Sequence, residues 1–370
     1  MLDPLLNGPD PRAALSSHFA RLIPARHLKS PSGLGDVAAY WLEGQRSWHG
    51  PAHVLTLLRE VDALSTNEEE RDALRLAAVY HDAIYNPRAA DNELQSALLL
   101  ERHAAEPASP AVRRALQIIR DSRWAAPPED PLSRAFFRLD TFQLSDACPL
   151  TERLAYERAI FREYQWVPWR EYRVKRAEFL RGWAERFPEH RRGTEECLGL
   201  LAALEPRLAV YPGSFQPFHL GHLSILRRAE QAFDKVIVAL GVNRQKLSAA
   251  DSLEQRRAAL QAQLPFHETA AFGGLLAGFL DELDAPVTVV RGVRDGTDLE
   301  AELRYARFLD ELRPGTAVVW ISCEPQFQHL SSTAMRELAA IQPGAEARYL
   351  PVAARIYGWA GPVPALPAQP

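Results

Sequence analysis

Apolar residues recur three and four positions apart through the first half of the chain, as in Ala52-His-Val-Leu-Thr-Leu-Leu-Arg-Glu-Val-Asp62, Glu69–Ala83, Asn92–Ala104 and Pro110–Asp121. That spacing predicts amphipathic helices. Turn-forming groups at Ser65-Thr-Asn, Asn86-Pro, Ala108-Ser-Pro and Pro127-Pro divide them. Almost nothing between Ala13 and Pro188 reads as strand. After Arg191-Arg-Gly-Thr, the stretch Glu195–Glu205 predicts one connecting helix, and the pattern then changes. Short apolar runs at Leu208–Tyr211, Lys235–Leu240, Val287–Arg291 and Ala317–Ser322 alternate with helical patterns at Leu220–Ala232, Leu253–Gln263, Leu275–Leu283, Asp298–Glu311 and Ser332–Ala340. This order is expected of right-handed βαβ units on a parallel sheet. The sequence therefore predicts two domains: all-α over residues 13–190 and doubly wound α/β over 207–360. A connecting helix at 191–206 and a loose Pro- and Ala-rich tail at 361–370 complete the chain.

Two domains also suit the length, because 370 residues exceed what one hydrophobic core ordinarily holds. Apolar residues make up 47% and charged residues 24%, close to globular averages, which excludes disordered and fibrous classes. The net charge is −4 with both signs interspersed, so neither a nucleic-acid partner nor an anionic membrane is expected. Cys148, Cys197 and Cys323 are scattered without ligand-like spacing, which suits a reducing compartment. There is no basic start followed by an apolar stretch, and no apolar run approaches the roughly 18 residues that cross a bilayer. A cytoplasmic protein acting on small molecules is expected.

In the second half, Tyr211-Pro-Gly-Ser-Phe-Gln-Pro-Phe-His-Leu-Gly-His222 follows the first strand and opens the next helix. Ligands of doubly wound sheets bind there, against free N–H groups at a helix start. Ser214, His219 and His222 can face an anion, and Gly221 leaves room for a nucleotide. Together with Arg291-Gly-Val-Arg-Asp-Gly-Thr-Asp-Leu-Glu-Ala-Glu302 and Leu330-Ser-Ser-Thr-Ala-Met-Arg-Glu337, this segment resembles the nucleotidyltransferase superfamily and, within it, bacterial phosphopantetheine adenylyltransferase over about Leu208 to Ala360. The resemblance implies that Ser214 and His222 contact the reacting phosphates, that His219 lies beside ATP, and that Lys246 bridges the attacking and α-phosphates. By the same resemblance Arg291 binds the acceptor phosphate region, and Gly292, Arg294 and Glu302 line the nucleotide pocket. Ser331, Ser332 and Thr333 meet the β- and γ-phosphates, and magnesium accompanies ATP. Gln216, Ala301 and Leu309 stand where that family usually has Asp, an aromatic residue and Asn, while Leu275-Leu276 matches its apolar pair beside the acceptor.

In the first half, Trp48-His-Gly-Pro-Ala-His53-Val sets two histidines four apart, and Tyr80-His81-Asp82-Ala-Ile-Tyr lies one helix later. Nitrogen and carboxylate ligands from separate helices are what a divalent hydrolytic ion needs, and Asp140 in Phe137-Arg-Leu-Asp-Thr can close the set. With Asp91-Asn-Glu-Leu-Gln-Ser-Ala97, Arg162-Glu-Tyr and Tyr172-Arg-Val-Lys-Arg176, the pattern resembles the His-Asp (HD) superfamily of metal-dependent phosphohydrolases over about Leu22 to Pro188. The resemblance implies a divalent metal on His53, His81, Asp82 and Asp140, with His49 and Glu93 close to the reacting phosphate.

The expectation is a bifunctional enzyme: an adenylyltransferase joining ATP to a phosphorylated acceptor with release of pyrophosphate, fused to an HD-type phosphohydrolase. The acceptor stays open between 4'-phosphopantetheine and another such as nicotinamide mononucleotide, and cytidylyl transfer or a nonenzymatic nucleotide sensor are the alternatives. Self-association into a homo-oligomer is left open as well.

Overall fold

The computed structural model describes residues 8–64, 67–241, 253–283 and 285–352. The described residues divide into two compact units, one comprising those up to Glu163 with Arg173–Ala203, the other comprising Tyr164–Tyr172 and those from Leu204 to Val352.

The first unit is helical. Its elements are α1 (Pro11–Leu22), α2 (Ser32–Trp41), α3 (Pro51–Leu64), α4 (Glu68–Tyr80), α5 (Asn92–His103), α6 (Pro110–Asp121), α7 (Pro131–Asp140), α8 (Leu150–Glu163), α9 (Trp169–Arg186) and α10 (Arg191–Ala203). Local chemistry sets many of the boundaries. Asn67 caps α4 by accepting from the Glu69 N–H, and three glutamates fill its first turn, where they complement the helix dipole. Pro110 and Pro131 open α6 and α7, at positions where a missing N–H costs nothing. The helix expected to run to Ala83 stops at Tyr80, because Arg46 Nη1 and Nη2 take the carbonyls of Asp82 and Ala83 at 2.7 and 2.9 Å. His81 and Asp82 therefore stand on the turn leaving α4.

The helix expected to serve as a connector is instead a packed member of this unit. Gly193, Thr194, Cys197 and Leu201 of α10 are buried, and a Cβ at Gly193 would lie 2.2 Å from the Leu144 carbonyl oxygen. Only glycine fits that contact.

The second unit is α/β, with β1 (Leu208–Gly213), α11 (Leu220–Ala232), β2 (Lys235–Gly241), α12 (Leu253–Gln263), β3 (Thr269–Phe272), α13 (Leu276–Glu282), β4 (Val287–Val293), α14 (Gly296–Leu312), β5 (Val318–Ser322) and α15 (Ser332–Ile341). The five strands form one parallel sheet in the order β3-β2-β1-β4-β5. Val210, Ile237, Ala239 and Val289 pack with Leu276, Leu280 and Leu309 in one core cluster. The alternating Ala209, Val236, Val238 and Val290 are buried as well, so both faces of the central strands are covered. No described helix is long and apolar enough to cross a membrane.

Two features of this unit were not expected. The short β3 adds an edge strand, and Tyr164–Tyr172 comes to the sheet from the helical half of the sequence. Gln165 holds that segment in place: its side chain donates to the Asp234 carbonyl at 2.6 Å and accepts from the Val236 N–H at 3.1 Å, and its carbonyl accepts from the Glu268 N–H. Lys235, fully buried at the start of β2, donates to the carbonyls of Gln165 and Val167 and pairs with Glu268 at 2.9 Å. Two carbonyl acceptors and one carboxylate countercharge thus surround the ammonium, which is how a buried one is tolerated. Replacing Lys235 by Met removes both hydrogen bonds and the ion pair at once and should destabilise this unit by about 3 kcal/mol. An unchanged urea midpoint would show that the segment does not depend on it.

Candidate functional site

In the helical unit the four expected ligands converge. His53 comes from α3, His81 and Asp82 from the turn after α4, and Asp140 from the end of α7. His53 Nε2 lies 3.3 Å from His81 Nε2 and 3.2 Å from Asp140 Oδ1; His81 Nε2 lies 3.2 Å from Asp82 Oδ2 and 3.4 Å from Asp140 Oδ1. The donor atoms of His53, His81 and Asp82 all lie within 4.8 Å of one another, a spacing that one ion can bridge, and Asp140 Oδ1 stands beside the two histidines. The tautomer fits too. His81 Nδ1 lies 3.1 Å from the Ala78 carbonyl, an acceptor that needs the hydrogen on Nδ1 and leaves the Nε2 lone pair facing the other ligands. Burial works against charge on His81, but Asp82 and Asp140 prevail and hold it well above the imidazole range. Against the same burial, His81 pulls Asp82 down to about 2, and His81 and His53 pull Asp140 lower still. The two carboxylates thus make this an anionic cluster that favours positive charge on His81.

The surroundings contain groups that sequence reasoning assigned no role. Trp124 Nε1–H donates to Asp140 Oδ2 at 2.8 Å, and its backbone is left-handed at φ 46°, a strained conformation for a bulky residue. Arg186 Nη1 donates to its carbonyl at 3.1 Å. Glu163 is fully buried and receives the Ser47, Trp48 and His49 N–H groups on Oε1, and the Tyr85 hydroxyl and His49 Nδ1 on Oε2. His49 stacks on Tyr85 with ring centres 4.5 Å apart. Burial lowers its basicity, but the Glu163 charge outweighs that and raises it. Glu93, half-buried in the first turn of α5, is pushed up chiefly by burial and further by Asp82.

In the α/β unit the site follows from strand register. β1 pairs with β2 along its whole length, Leu208 to Gly213, but with β4 only through Val210. Beyond that residue β1 and β4 part, and a cavity of about 290 Å³ opens between them. It is lined by Ser214, His219, Gly221, His222, Gly292, Arg294, Glu302, Ser331, Ser332 and Thr333, ten of the twelve residues expected at this site.

Each is placed by local structure. His222 Nδ1 accepts the His219 N–H at 3.2 Å at the start of α11, which in the neutral ring leaves hydrogen on Nε2 for a ligand. His219 stacks on it at 3.7 Å and is nearly inaccessible, yet neither of its ring nitrogens has a hydrogen-bond partner among the described residues. Gly221 was expected to admit a nucleotide; its closest constraint is the His219 ring, 3.1 Å from where a Cβ would stand. Ser331 caps α15 by accepting from the Ala334 N–H at 3.0 Å. Ser332 Oγ donates to the Pro217 carbonyl at 3.2 Å and Arg336 Nη1 to the Gln216 carbonyl at 2.7 Å, which ties α15 to the loop before α11. The Ser332 hydroxyl hydrogen is thereby used, whereas Ser331 and Thr333 act as acceptors in their bonds and keep theirs. Arg294 is paired with Asp298 at 2.6 and 2.8 Å, and Arg291 with Glu302 at 2.5 and 2.7 Å. Arg291 also donates to the Pro212 carbonyl and lies over the Tyr305 ring. Lys246 lies outside the described residues.

A Cytidylyltransferase-like family model matches residues 210–338. The chain is 40% identical over 138 residues to a phosphopantetheine adenylyltransferase of Chloroflexus aurantiacus, covering 84% of that protein and 36% of this one. It is 39% identical over 136 residues to that of Rubrobacter xylanophilus and 35% over 134 to that of Clostridium tetani, covering 82% and 83% of them and 36% of this chain in each case. The chain belongs to the phosphopantetheine adenylyltransferase family through this domain. Its α/β unit is thus a nucleotidyltransferase domain.

The histidines of this phosphopantetheine adenylyltransferase-like cavity behave oppositely to His81. Burial, then the Arg294 charge, takes His219 from the ordinary 6.5 to about 4; burial, His219 and Arg294 hold His222 well below the ordinary imidazole range. The unfolded chain therefore holds more protons below pH 6.5 than the folded one, so these two residues make stability fall as pH drops from 6.5 towards 4. His219→Gln should flatten the dependence of the urea midpoint between about pH 5 and 7. An equal slope in both proteins would rule out this contribution.

Proposed function

We propose that the α/β unit transfers the adenylyl group of ATP to the phosphate of 4'-phosphopantetheine, releasing pyrophosphate. The observation that carries this reading is the convergence of His222 Nε2, Arg294 and the first turns of α11 and α15 on one cavity, in a chain of this family. The acceptor phosphate oxygen attacks the α-phosphorus in line, and negative charge grows on the oxygens around it. Preorganised donors lower that barrier. His222 Nε2–H and the Ser331 and Thr333 hydroxyls supply uncharged donors, and the N–H groups opening α11 and α15 add the positive end of the helix dipole. Lys246 keeps the bridging role implied by resemblance. Asp298 and Glu302 are both paired with arginines, so magnesium enters this reading as the counter-ion of ATP. On the acceptor side, Leu276 and Leu309 are buried in the core, so Leu275, 64% exposed, is the member of the apolar pair left to contact the arm that carries the phosphate.

Pyrophosphate release should be seen with ATP and 4'-phosphopantetheine and should fall by about 10²–10³-fold in His222→Ala, with ATP binding retained. Release with CTP or nicotinamide mononucleotide instead would change the substrates, tight ATP binding without turnover on any acceptor would make the domain a sensor, and full activity in His222→Ala would refute the site.

For the helical unit we propose an HD-type phosphohydrolase whose divalent ion is held by His53, His81, Asp82 and Asp140. The donor spacing and the His81 tautomer support it. Such an ion supplies a water of lowered pKa for attack on phosphorus, while His49 and Glu93 adjoin the phosphate. Elemental analysis should find about one divalent ion per wild-type chain and essentially none in His81→Ala or Asp82→Ala. Equal metal content in all three proteins would sink the assignment.

A further inference from the structure

Glu163 has no place in the ligand set, yet it is the most completely engaged carboxylate near it. It is 1% exposed, and five donors converge on its two oxygens at 2.7–2.8 Å: three consecutive backbone N–H groups, the Tyr85 hydroxyl and His49 Nδ1. A carboxylate that accepts from so many donors has no use for a proton of its own. The hydrogen between it and His49 therefore belongs to Nδ1, and Nε2 is the nitrogen left for chemistry. Three constraints then fix the ring. Glu163 holds its edge, Tyr85 stacks on its face, and Arg46 Nη1 donates to the carbonyls of both His49 and Asp82 at 3.0 and 2.7 Å. One buried guanidinium thus ties the His49 loop to the Asp82 turn, and the His49 ring centre lies 6.0 Å from that of His53.

We propose that Glu163 is a positioning residue that makes His49 the proton carrier of the hydrolytic step. The arrangement follows the logic by which a buried carboxylate locks a histidine tautomer and stabilises the imidazolium that forms. As a water oxygen bonds to phosphorus, His49 Nε2 takes one of its protons. As the bond from phosphorus to the leaving oxygen breaks, Nε2 returns that proton to the leaving oxygen; the water's other proton stays on the phosphate product. His49 ends as it began, and Glu163 carries the countercharge between the two transfers. This role rests on the hydrolase reading of the helical unit.

The substitution Glu163→Gln tests it, because an amide group facing Nδ1 donates where the carboxylate accepted and moves the imidazole hydrogen to Nε2. Side-chain nitrogen NMR of the metal-free protein, at a pH high enough to keep His49 neutral, should show the ring protonated on Nδ1 in wild type and on Nε2 in Glu163→Gln. With manganese added and a panel of phosphomonoesters including p-nitrophenyl phosphate, kcat should fall at least about 100-fold, with KM within about twofold and metal content unchanged. His49→Gln, which leaves Glu163 its backbone and Tyr85 donors, should lose as much, and the double variant should be no worse than either single one. A wild-type His49 protonated on Nε2, or single losses that multiply in the double variant, would overturn the proposal. Unchanged kcat in Glu163→Gln would overturn it while leaving the hydrolase reading intact, whereas a manganese-loaded wild type that hydrolyses nothing would sink both.

Discussion

The early parting of β1 from β4 is the constraint on which the transferase site depends. Beyond Val210 on β1 and Val289 on β4 the backbone ladder between those strands ends, while β1 stays paired with β2 and β4 with β5. A crevice at that point follows from the strand order, since the chain runs outward from β1 to β3 on one side and from β4 to β5 on the other. The helices after β1 and β5 then begin beside the crevice, and their unpaired N–H groups face it. The motif residues are therefore where they are because the sheet reverses there. Gly292 belongs to the same constraint: a Cβ would stand 3.0 Å from Ile225 of α11, so the residue lets that helix close over β4.

Charge in this crevice is committed before any ligand arrives. Arg291 and Arg294 each hold a carboxylate through two hydrogen bonds. Two bare guanidinium groups would repel each other and raise the cost of folding; pairing removes that cost and fixes the planar forks in position. A phosphate must then displace or share a carboxylate, which selects for ligands of higher charge than a single anion. The uncharged donors, His222 and the Ser331 and Thr333 hydroxyls, face no such competition.

Much of this architecture was legible in the sequence. Helical periodicity located α3, α5, α6, α11 and α12 within a residue or two, and four of the five strands stood out as apolar runs. What escaped shares a physical character. β3 is four residues long with two alanines at its centre, too short and too weakly β-forming to register. Glu163 acts on residues 114 to 116 positions away, and Gln165 is bonded to Asp234 and Val236, 69 and 71 positions away. Local pattern carries no information about such pairings. Trp124 escaped for another reason, since nothing in Asp121-Ser-Arg-Trp announces a left-handed backbone at a tryptophan. The motif residues were visible because their role is set by chain-local turns at strand ends; the residues that aim them were not, because their role is set by tertiary contact.

The two units use histidine in opposite electrostatic settings, and the difference follows from neighbours rather than from burial. His219 is buried and His222 half-buried beside an arginine and each other, so desolvation and charge both favour the neutral ring. His81 is at least as buried, but two carboxylates reverse the outcome. A neutral imidazole can donate to a phosphoryl oxygen without the desolvation cost of a buried cation, which suits a cavity whose charge is already carried by paired arginines. A histidine among carboxylates attracts a cation instead, and a proton is only the smallest candidate. Since the same side chain occupies both settings, the partners and not the histidines set which charge each site favours.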